Sequence, residues 1–549
     1  MPTIRAVTEP RTGISVAPTI VLSPSVFVPE DLASAPPATC VLPVNEHFLV
    51  PTNTGDMPFG EAVKLLPPHV IPGAEIASEA AANALLAWLE RTGTIDFLVV
   101  AADPALILYV HEHNFKVRGA IRFTHAHSAS DIRTITNTHR ARAAIVPTAH
   151  LTRSTVTALQ QRLITVWGEV GANSEPAMVA HLRAVTLGVN GLVTTDSAAA
   201  HAALEVFPAG TTVLARKPFV VGHRGMPSRA PENTLAGAKL AYTHGANMIE
   251  NDVHITTDGV VVIHHDPTLD RTTTGTGPIE SYSFAELQAF DANMQFKHSF
   301  PGEKIPSLAQ FFETFADTDV VHFIEIKSEN ERLVPALAAL INEHDVHDQV
   351  VFISFSPEQL RRAKQHLPGI SQGFLTWGEV NEADPEGSVL RVLHNIQPLS
   401  TTYNPSLVGV GANYLEATKH RGVTQWPWTY VDIEPFIESF LAGMNGLTTN
   451  NAFWSDSWLA QVDATEHEVA QTVGETQAFT GRITRYDRTK RPGEVRVQVV
   501  QGDAVTASGA EVTAVQPGTA YVVLCATQQV NEQRSYTMFS EVIAITVRA

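Results

Sequence analysis

A repeated alternation of strand-like and helix-like segments between residues 216 and 468 constrains the fold most strongly. Amphipathic helical stretches such as PSLAQFFETFAD and ERLVPALAALINEH separate short apolar runs, which read FVVG, NMIENDVHIT, VVVIHHD, VHFIEIKS, VVFISFS, SQGFLTW, VTQWPWTY and NGLTT. Strands that alternate with helices pair in parallel, and about eight such units over about 250 residues match a (β/α)8 barrel in size. We therefore predict an α/β fold with a TIM-type (β/α)8 barrel over residues 216–468.

The zones on either side of this barrel have different patterns. Residues 55–215 repeat the strand–helix alternation, which predicts a degenerate partial (β/α) barrel lobe. Residues 1–54 are rich in Pro, Thr and Val and have no helical period, so we expect an extended or β-rich N-terminal arm. Residues 475–549 alternate apolar and polar side chains, which predicts a small all-β sandwich. Its last strands resemble those of a fibronectin type III domain, with Tyr521 in the corner position.

An internal duplication connects the first lobe to the barrel. Three pairs of segments match in the same order: IPGAEIAS (71–78) with VHFIEIKS (321–328), FLVVAADP (97–104) with VVFISFSP (350–357), and GVNGLVTT (188–195) with GMNGLTTN (443–450). The first copy has nothing that matches GHRG or IENDVH, and Ala77 stands where the second copy has Lys327. The first lobe is therefore predicted to be a degenerate copy without a metal site.

Composition excludes several classes of partner and site. The net charge of −19 argues against a nucleic-acid partner, whose phosphates would be repelled. No apolar run reaches the roughly 18 residues of a membrane span, so we expect no transmembrane segment. The two cysteines, Cys40 and Cys525, are too few and too far apart in sequence for a disulfide framework or a zinc site. The N-terminus has no basic start followed by an apolar core, so no secretory signal is expected.

The stretch NMIENDVHITTDGVVVIHHDPTLDRTT is predicted to form a β-hairpin. Asp258-Gly259 lies between two strand-like runs, and glycine tolerates the positive φ of a type I′ turn. If these two residues are the whole loop, Asp252 lies opposite His265 in the antiparallel ladder.

One face of this hairpin is predicted to be polar and the other apolar. Because side chains alternate along a strand, Glu250, Asp252 and His254 share one face, and His265 joins them across the ladder. The opposite face carries four apolar residues, Val253, Ile255, Val260 and Val262. Carboxylates in a run flanked by core residues favour a site for a hard cation over a solvated edge strand.

A third acidic residue occurs in the run FIEIKS. Glu325 and Lys327 are two residues apart, so both point to one face of their strand. The pair could be a surface salt bridge, but the carboxyl end of a barrel strand is where phosphate ligands bind. We therefore include both residues in the predicted site.

The motifs together resemble the glycerophosphodiester phosphodiesterase family over residues 216–455. They occur in the order GHRG (222–225), PENT (231–234), IENDV (249–253), TDG (257–259), VIHHD (262–266), IEIK (324–327) and SFS (354–356), followed by GMNGLTTN. Two positions depart from the family pattern. The family usually has Trp-Thr-Val-Asn where this chain has WTYV (428–431), and it usually has an Asp where this chain has Asn450-Asn451. Both shape the leaving-group pocket, so they bear on the substrate more than on the chemistry.

The resemblance implies a phosphodiesterase that uses a divalent cation, Mg²⁺ or Ca²⁺. It implies metal ligands at Glu250, Asp252 and Glu325. It implies that His223 and His265 act as general base and general acid, and that Arg224 and Lys327 bind the substrate phosphate. The expected products are a glycerol phosphate and an alcohol, with a cyclic phosphate as an alternative first product.

Three alternatives to this function remain open at the level of sequence. The same chemistry could act on a poly(glycerol phosphate) such as a teichoic acid, as part of a cell-surface or phage tail enzyme. The chain could instead be a catalytically silent wall- or carbohydrate-binding protein, although the intact His, Glu, Asp and Lys set argues against this. A sphingomyelinase D-like lyase fits the PENT motif and the Asp-Gly turn less well. We expect an extracellular, cell-surface or virion location, with the cytoplasm as an alternative, and a homo-oligomer or a larger surface or virion assembly is compatible with the sequence.

Overall fold

The structure is a computed structural model of the chain. It describes residues 4–32, 35–296, 299–378, 380–407 and 410–549. Within these ranges the chain forms two parallel (β/α) barrels, one after the other, followed by an all-β region. The predicted α/β fold class with a TIM-type barrel is thereby confirmed. Over the same residues, no helix has both the length and the apolar character that a membrane crossing requires.

The first barrel contains eight parallel strands in a closed ring. Its strands are β1 (Thr19–Leu22), β2 (Thr39–Pro43), β5 (Ile71–Glu75), β6 (Leu98–Ala101), β7 (Arg118–Arg122), β8 (Ala143–Pro147), β9 (Thr165–Glu169) and β10 (Gly191–Thr194), and a hairpin of β3 (Leu49–Thr52) and β4 (Gly55–Pro58) follows β2. Its helices are α1 (Phe59–Lys64), α2 (Glu79–Thr92), α3 (Pro104–His113), α4 (Ala129–Thr138), α5 (Arg153–Gln161), α6 (Ala177–Thr186) and α7 (Ser197–Glu205).

The N-terminal arm completes this barrel. The barrel is therefore closed, whereas the sequence predicted a partial one. β1 pairs in parallel with β10, and β2 pairs in parallel with both β1 and β5. The sequence did not predict these strands as barrel elements, because the residues between them have no helical period. A βα unit is recognised from the alternation of strand-like and helix-like segments.

The second barrel is the one that carries the predicted site. Its strands are β11 (Phe219–Gly222), β12 (Met248–Ile255), β14 (Val321–Ile326), β15 (Val350–Ser354), β16 (Gln372–Thr376), β17 (Thr402–Pro405) and β18 (Gly446–Thr449), and β13 (Val261–Ile263) extends β12 as an antiparallel hairpin. Its helices are α8 (Leu235–Thr243), α9 (Phe284–Leu287), α10 (Leu308–Phe315), α11 (Leu333–His344), α12 (Pro357–His366), α13 (Pro385–Ile396), α14 (Ala412–Lys419) and α15 (Ile433–Leu441).

An irregular segment between β17 and β18 completes the ring of the second barrel. The Trp426 backbone N–H donates to the Tyr403 carbonyl (3.1 Å), and the Tyr430 N–H donates to the Thr448 carbonyl (2.8 Å). This segment therefore takes the seventh strand position, and β17 takes the sixth. The sequence run VVVIHHD, in contrast, belongs to the β12–β13 hairpin and is not a separate barrel strand.

The β12–β13 hairpin has a register one residue away from the predicted one. Its pairs are Val253–Ile263, His254–Val262 and Ile255–Val261. The predicted two-residue turn is wrong, because the Thr256 N–H donates to the Val260 carbonyl (3.0 Å) and encloses a longer loop. His264, and not His265, lies opposite Asp252, whose carbonyl accepts a hydrogen bond from the His264 N–H (2.8 Å).

The side chain of Thr256 accounts for this register. Its Oγ1 accepts a hydrogen bond from the Val260 N–H (2.9 Å) and thereby stabilises the wider loop. A shift of one residue exchanges the two faces of a strand, so Val261 and Ile263 share the apolar cluster of Val253 and Ile255. Val262 is buried in a separate apolar cluster. His265 follows the end of β13 and reaches the site from there.

The two barrels pack with the amino ends of their strands together. Leu163, in the turn before β9, joins the interior apolar cluster of the second barrel beside Phe219 at the start of β11. Thr165 Oγ1 donates to the Gly422 carbonyl (2.8 Å) across the same junction. The carboxyl ends of the two sets of strands therefore open on opposite sides of the molecule.

The C-terminal region consists of strands without helices in its described residues, as the pattern predicted. Its strands are β19 (Leu459–Ala464), β20 (Glu468–Thr472), β21 (Thr476–Ala478), β22 (Gly481–Arg485), β23 (Lys490–Gly493), β24 (Arg496–Gln501), β25 (Val505–Ser508), β26 (Glu511–Ala514), β27 (Gly518–Gln529), β28 (Ser535–Phe539) and β29 (Ile543–Arg548). They begin ahead of residue 475, the boundary taken from the sequence. The likeness to fibronectin type III stays a prediction.

A buried ion cluster joins the two barrels. Asp96, which precedes β6, accepts hydrogen bonds from Arg118 Nη2 (2.9 Å) and from Arg421 Nη2 of the second barrel (2.6 Å). All three side chains are almost fully buried. Burial acts to raise the pKa of Asp96, but the two guanidinium groups hold it down, to about 2.

We expect Asp96→Asn to destabilise the protein by about 3–5 kcal/mol, because it leaves two buried cations without their counter-ion. Urea denaturation would measure this change. Glu61→Gln is the matched control, since Glu61 forms an exposed pair with Lys64, and such pairs contribute about 0–1 kcal/mol. A loss for Asp96→Asn no larger than for the control would contradict the assigned role.

Candidate active site

A cavity of about 370 Å³ opens at the carboxyl ends of the strands of the second barrel. Six of the seven predicted site residues line it: His223, Arg224, Glu250, His265, Glu325 and Lys327. The seventh, Asp252, is buried beside them, since it pairs with Glu325 across the β12–β14 ladder and its carboxylate lies 3.7 Å from Lys327 Nζ. The structure therefore brings all seven predicted residues together.

Three carboxylates form the acidic part of the site. Glu250, Asp252 and Glu325 are buried, and one ligand oxygen from each lies within 4.8 Å of the others. Among the described residues, Glu250 Oε1 and Asp252 Oδ1 are buried without a hydrogen-bond partner. Three buried acidic groups at this spacing, two of them with an unsatisfied oxygen, fit a hard divalent cation.

The pKa values of these carboxyl groups reflect their burial and their closeness to one another. Burial, together with the neighbouring Asp252 and Glu325, raises the pKa of Glu250 well above its usual value. Burial and Asp252 raise the pKa of Glu325 to about 8. Burial would also raise the pKa of Asp252, but Arg224 and other cations hold it below its usual value. The protein's own cations therefore do not fully neutralise the cluster, and a bound cation would.

Arg224 is held at the rim of this cluster by its backbone as well as its side chain. Its N–H donates to Glu250 Oε2 (2.7 Å), and its Nε lies 3.4 Å from Asp252 Oδ2. Arg224 has a φ of +49°, and Gly225 follows with a φ of +87°. A Cβ at Gly225 would lie 2.6 Å from the Gly237 carbonyl carbon, so the second glycine of GHRG is required by this close approach.

Lys327 supplies the second cation of the cavity. Its Nζ lies 3.0 Å from Glu325 Oε1. Burial acts to lower the pKa of Lys327, but Glu325 and Asp252 raise it above its usual value, so the ammonium group stays charged. The cavity thus presents two positive groups, from Arg224 and Lys327, next to the acidic cluster.

His223 is oriented by an uncharged partner. Its Nδ1 lies 2.7 Å from Asn450 Oδ1, at the end of β18, which leaves Nε2 for proton transfer. Burial and the positive charge of Arg224 lower the pKa of His223 to about 4. The imidazole is therefore neutral near pH 7 and can accept a proton.

His265 is oriented by a charged partner. Its Nδ1 lies 2.6 Å from Asp266 Oδ1, and Asp266 is held in turn by Arg271 Nε (2.6 Å). Burial lowers the pKa of His265, while Asp252 and Asp266 oppose that shift. A carboxylate on Nδ1 stabilises the imidazolium form, so His265 is the better of the two histidines as a proton donor.

Several residues of the site were not assigned a role from the sequence. Asn233 Nδ2, from the PENT motif, donates to Asp252 Oδ2 (2.8 Å), and Glu232 accepts hydrogen bonds from Arg224 and Arg271. The motifs PENT and VIHHD contained these residues, but the sequence did not indicate which atoms they contact. His254 lies beside Glu280 (3.3 Å) and does not line the cavity.

Known proteins are similar to this chain over the second barrel. The sequence model of the glycerophosphoryl diester phosphodiesterase family matches residues 223–452. A glycerophosphodiester phosphodiesterase of Caldanaerobacter subterraneus subsp. tengcongensis is 34% identical over 43% of this chain and 95% of its own length. The human glycerophosphodiester phosphodiesterase 1 is 34% identical over 26% of this chain and 45% of its own. A solved glycerophosphodiester phosphodiesterase from Agrobacterium tumefaciens is 27% identical, with a TM-score of 0.37, over 43% of this chain and 98% of its own. The chain therefore belongs to the glycerophosphoryl diester phosphodiesterase family and is a phosphodiester hydrolase.

Proposed function

We propose that the second barrel hydrolyses glycerophosphodiesters to a glycerol phosphate and an alcohol by general acid–base catalysis. The observation that carries this proposal is the pair of histidines in one cavity, each with Nδ1 hydrogen bonded and Nε2 left for the substrate. Their different partners, an amide for His223 and a carboxylate for His265, favour opposite roles in proton transfer.

In this proposal His223 is the general base and His265 is the general acid. His223 removes a proton from water, or from a neighbouring hydroxyl of the substrate, in which case a cyclic phosphate forms first. His265 donates a proton to the departing alkoxide. Asp266 stabilises the protonated His265 before that transfer, and Asn450 keeps Nε2 of His223 facing the cavity.

The charged groups of the cavity bind the phosphodiester. Arg224 and Lys327 neutralise the phosphoryl oxygens, as positive groups do when negative charge develops in a transition state. Glu250, Asp252 and Glu325 would hold one divalent cation, Mg²⁺ or Ca²⁺. When bound, this cation supplies further charge neutralisation and polarises the phosphoryl group.

We further infer that the first barrel is a degenerate, non-catalytic copy. Pro43 pairs with Glu75 across β2–β5 in the same way that Asp252 pairs with Glu325 across β12–β14. Glu75 is not available to a metal, since its two oxygens accept hydrogen bonds from Arg122 (2.8 and 3.0 Å). The guanidinium of Arg122 thus pairs with Glu75, the counterpart of Glu325 in this copy.

Phosphorus NMR of the reaction products tests the proposed function. With Mg²⁺ or Ca²⁺ present, we expect the signal of glycerophosphocholine or of purified glycerol teichoic acid to be replaced by a glycerol phosphate or a cyclic phosphate. The two substrates distinguish a small-molecule hydrolase from a polymer hydrolase. If the protein cleaves neither substrate, the proposal is refuted.

A further inference from the structure

Three aromatic side chains form a continuous surface on one side of the catalytic cavity. Phe355 follows β15, Trp377 follows β16, and Trp428 lies in the irregular segment at the seventh strand position. All three line the cavity. Their ring centroids lie 5.2–5.4 Å apart in every pairing. We name this surface the aromatic wall. Trp377 is 75% exposed, so the described residues leave most of its surface uncovered.

We propose that the aromatic wall is the subsite of the alcohol leaving group, and that it takes an uncharged, hydroxyl-bearing alcohol in preference to a quaternary ammonium such as choline. This inference rests on the proposed function, because it specifies which phosphodiesters the same site cleaves. An exposed tryptophan that continues the wall of a cavity favours a bound group with an apolar face, such as the carbon skeleton of a glycerol or sugar unit.

The arrangement of the rings argues against a cage for a cation. Phe355 stacks on Trp377 at 27°, and Trp428 meets both rings edge-on, at 86° and 69°. Aromatic cages hold a quaternary ammonium between ring faces, whereas these rings pack against one another, with centroids 5.2–5.4 Å apart. The wall is therefore a platform for stacking and not an enclosure.

The position of Lys327 also favours an uncharged alcohol. Lys327 Nζ lies 6.0 Å from the centroid of the Phe355 ring, so the face of the wall nearest the phosphate site already carries an ammonium group. A second cation stacked on that ring would be repelled by Lys327, the charged group in contact with the wall. A neutral alcohol meets no such penalty.

A hydrogen-bonding group for a hydroxyl adjoins the wall. Asn404 lines the cavity, and its backbone carbonyl accepts from Trp428 Nε1 (2.9 Å), which fixes that indole. Asn404 Oδ1 accepts from Thr402 Oγ1 (2.8 Å), while Nδ2 has no partner among the described residues. A Cβ on residue 373 would lie 2.4 Å from Asn404 Oδ1, so Gly373 leaves room for this carboxamide.

The test compares leaving groups and one substitution in the wall. We expect the wild-type enzyme to cleave glycerophosphoglycerol with a kcat/KM at least about 10-fold above that for glycerophosphocholine. Trp377→Ala should lower kcat/KM for glycerophosphoglycerol by about 10-fold, which is the largest effect expected from the loss of one aromatic contact. The kcat/KM values of the two substrates should then be similar. A methyl ester of glycerol phosphate, whose leaving group is too small to stack, should lose no more than about threefold. The kcat/KM for glycerophosphoinositol, compared with that for glycerophosphoglycerol, shows whether the wall favours a ring polyol or a chain polyol.

The controls separate this inference from the function on which it rests. Phe115→Ala, which removes an exposed aromatic ring from the first barrel, should leave all four rates unchanged, and thermal unfolding should show that Trp377→Ala remains folded. Equal or faster cleavage of the choline substrate by the wild type, or an equal loss on every substrate for Trp377→Ala, would overturn the inference and leave the hydrolase function standing. No cleavage of any glycerophosphodiester by the wild type would overturn both.

Discussion

EDTA is expected to abolish turnover, and added Mg²⁺ or Ca²⁺ to restore it. The reason is the buried cluster of Glu250, Asp252 and Glu325, whose ligand oxygens lie within 4.8 Å of one another. A phosphodiester anion has to enter the same cavity, and the loss of several kcal/mol of charge stabilisation lowers a rate roughly a thousandfold or more. Phosphorus NMR of the products, recorded before and after chelation, measures the change. Full activity in the chelator would show that the metal assignment is wrong.

Glu250→Gln refines this expectation, because it keeps the shape of the side chain and removes one anionic ligand. The concentration of Mg²⁺ or Ca²⁺ that gives half-maximal activity should rise at least about 10-fold. Glu75→Gln is the matched control, since Glu75 is bonded to Arg122 in the first barrel and should leave the metal requirement unchanged.

Metal binding should also be visible without any substrate. A ligand that binds only the folded state stabilises it by about 2.7 kcal/mol at 100 times its Kd, so saturating Mg²⁺ or Ca²⁺ should raise the Tm of the wild type. The increase should be much smaller for Glu250→Gln. An equal increase in both proteins would place the stabilising cation elsewhere.

The sequence was sufficient to predict the second barrel because its strands and helices alternate with different periods. The N-terminal arm was harder to interpret, since β1 and β2 are short apolar runs and the described residues between them form no α-helix. Their place in the ring depends on pairing with β10 and β5. Strand pairing over such sequence distances is not contained in local periodicity. A closed first barrel could not be predicted for this reason.

The hairpin shows a second limit of local patterns. An Asp-Gly pair favours a two-residue turn, but a hydrogen bond from the Val260 N–H to Thr256 Oγ1 selects the longer loop. This side-chain contact accounts for the difference of one residue between the predicted and the observed register. His265 nevertheless lines the cavity, and its place in the VIHHD motif had included it in the predicted site independently of the turn.

Contacts between distant segments of the chain were beyond sequence reasoning. Asn450 was noted only as a departure from the family pattern, yet its side chain orients His223 from the end of β18. The aromatic wall likewise combines Phe355, Trp377 and Trp428 from three separate loops or strands. Only the closure of the barrel brings these residues to one cavity.

The two histidines should respond differently to the leaving group. With a poor leaving group such as the alcohol of glycerophosphocholine, His223→Ala and His265→Ala should each lose about 10² to 10⁴ in kcat, the usual contribution of general acid–base catalysis. With a 4-nitrophenyl phosphodiester, the leaving group departs without protonation, so the general acid becomes dispensable. His265→Ala should then recover most of its rate, whereas His223→Ala should remain slow because its nucleophile still needs to be deprotonated.

The adjacent residue His264 provides the control for this experiment. His264 is buried, its Nε2 lies 3.0 Å from the Thr268 carbonyl, and it does not line the cavity. His264→Gln should therefore keep its activity on both substrates. Recovery by His223→Ala in place of His265→Ala would mean that the roles are reversed, and that the carboxylate partner of His265 does not determine the proton donor. Recovery by neither variant would mean that the imidazoles bind phosphate or order the metal ligands, and the acid–base mechanism would then be wrong.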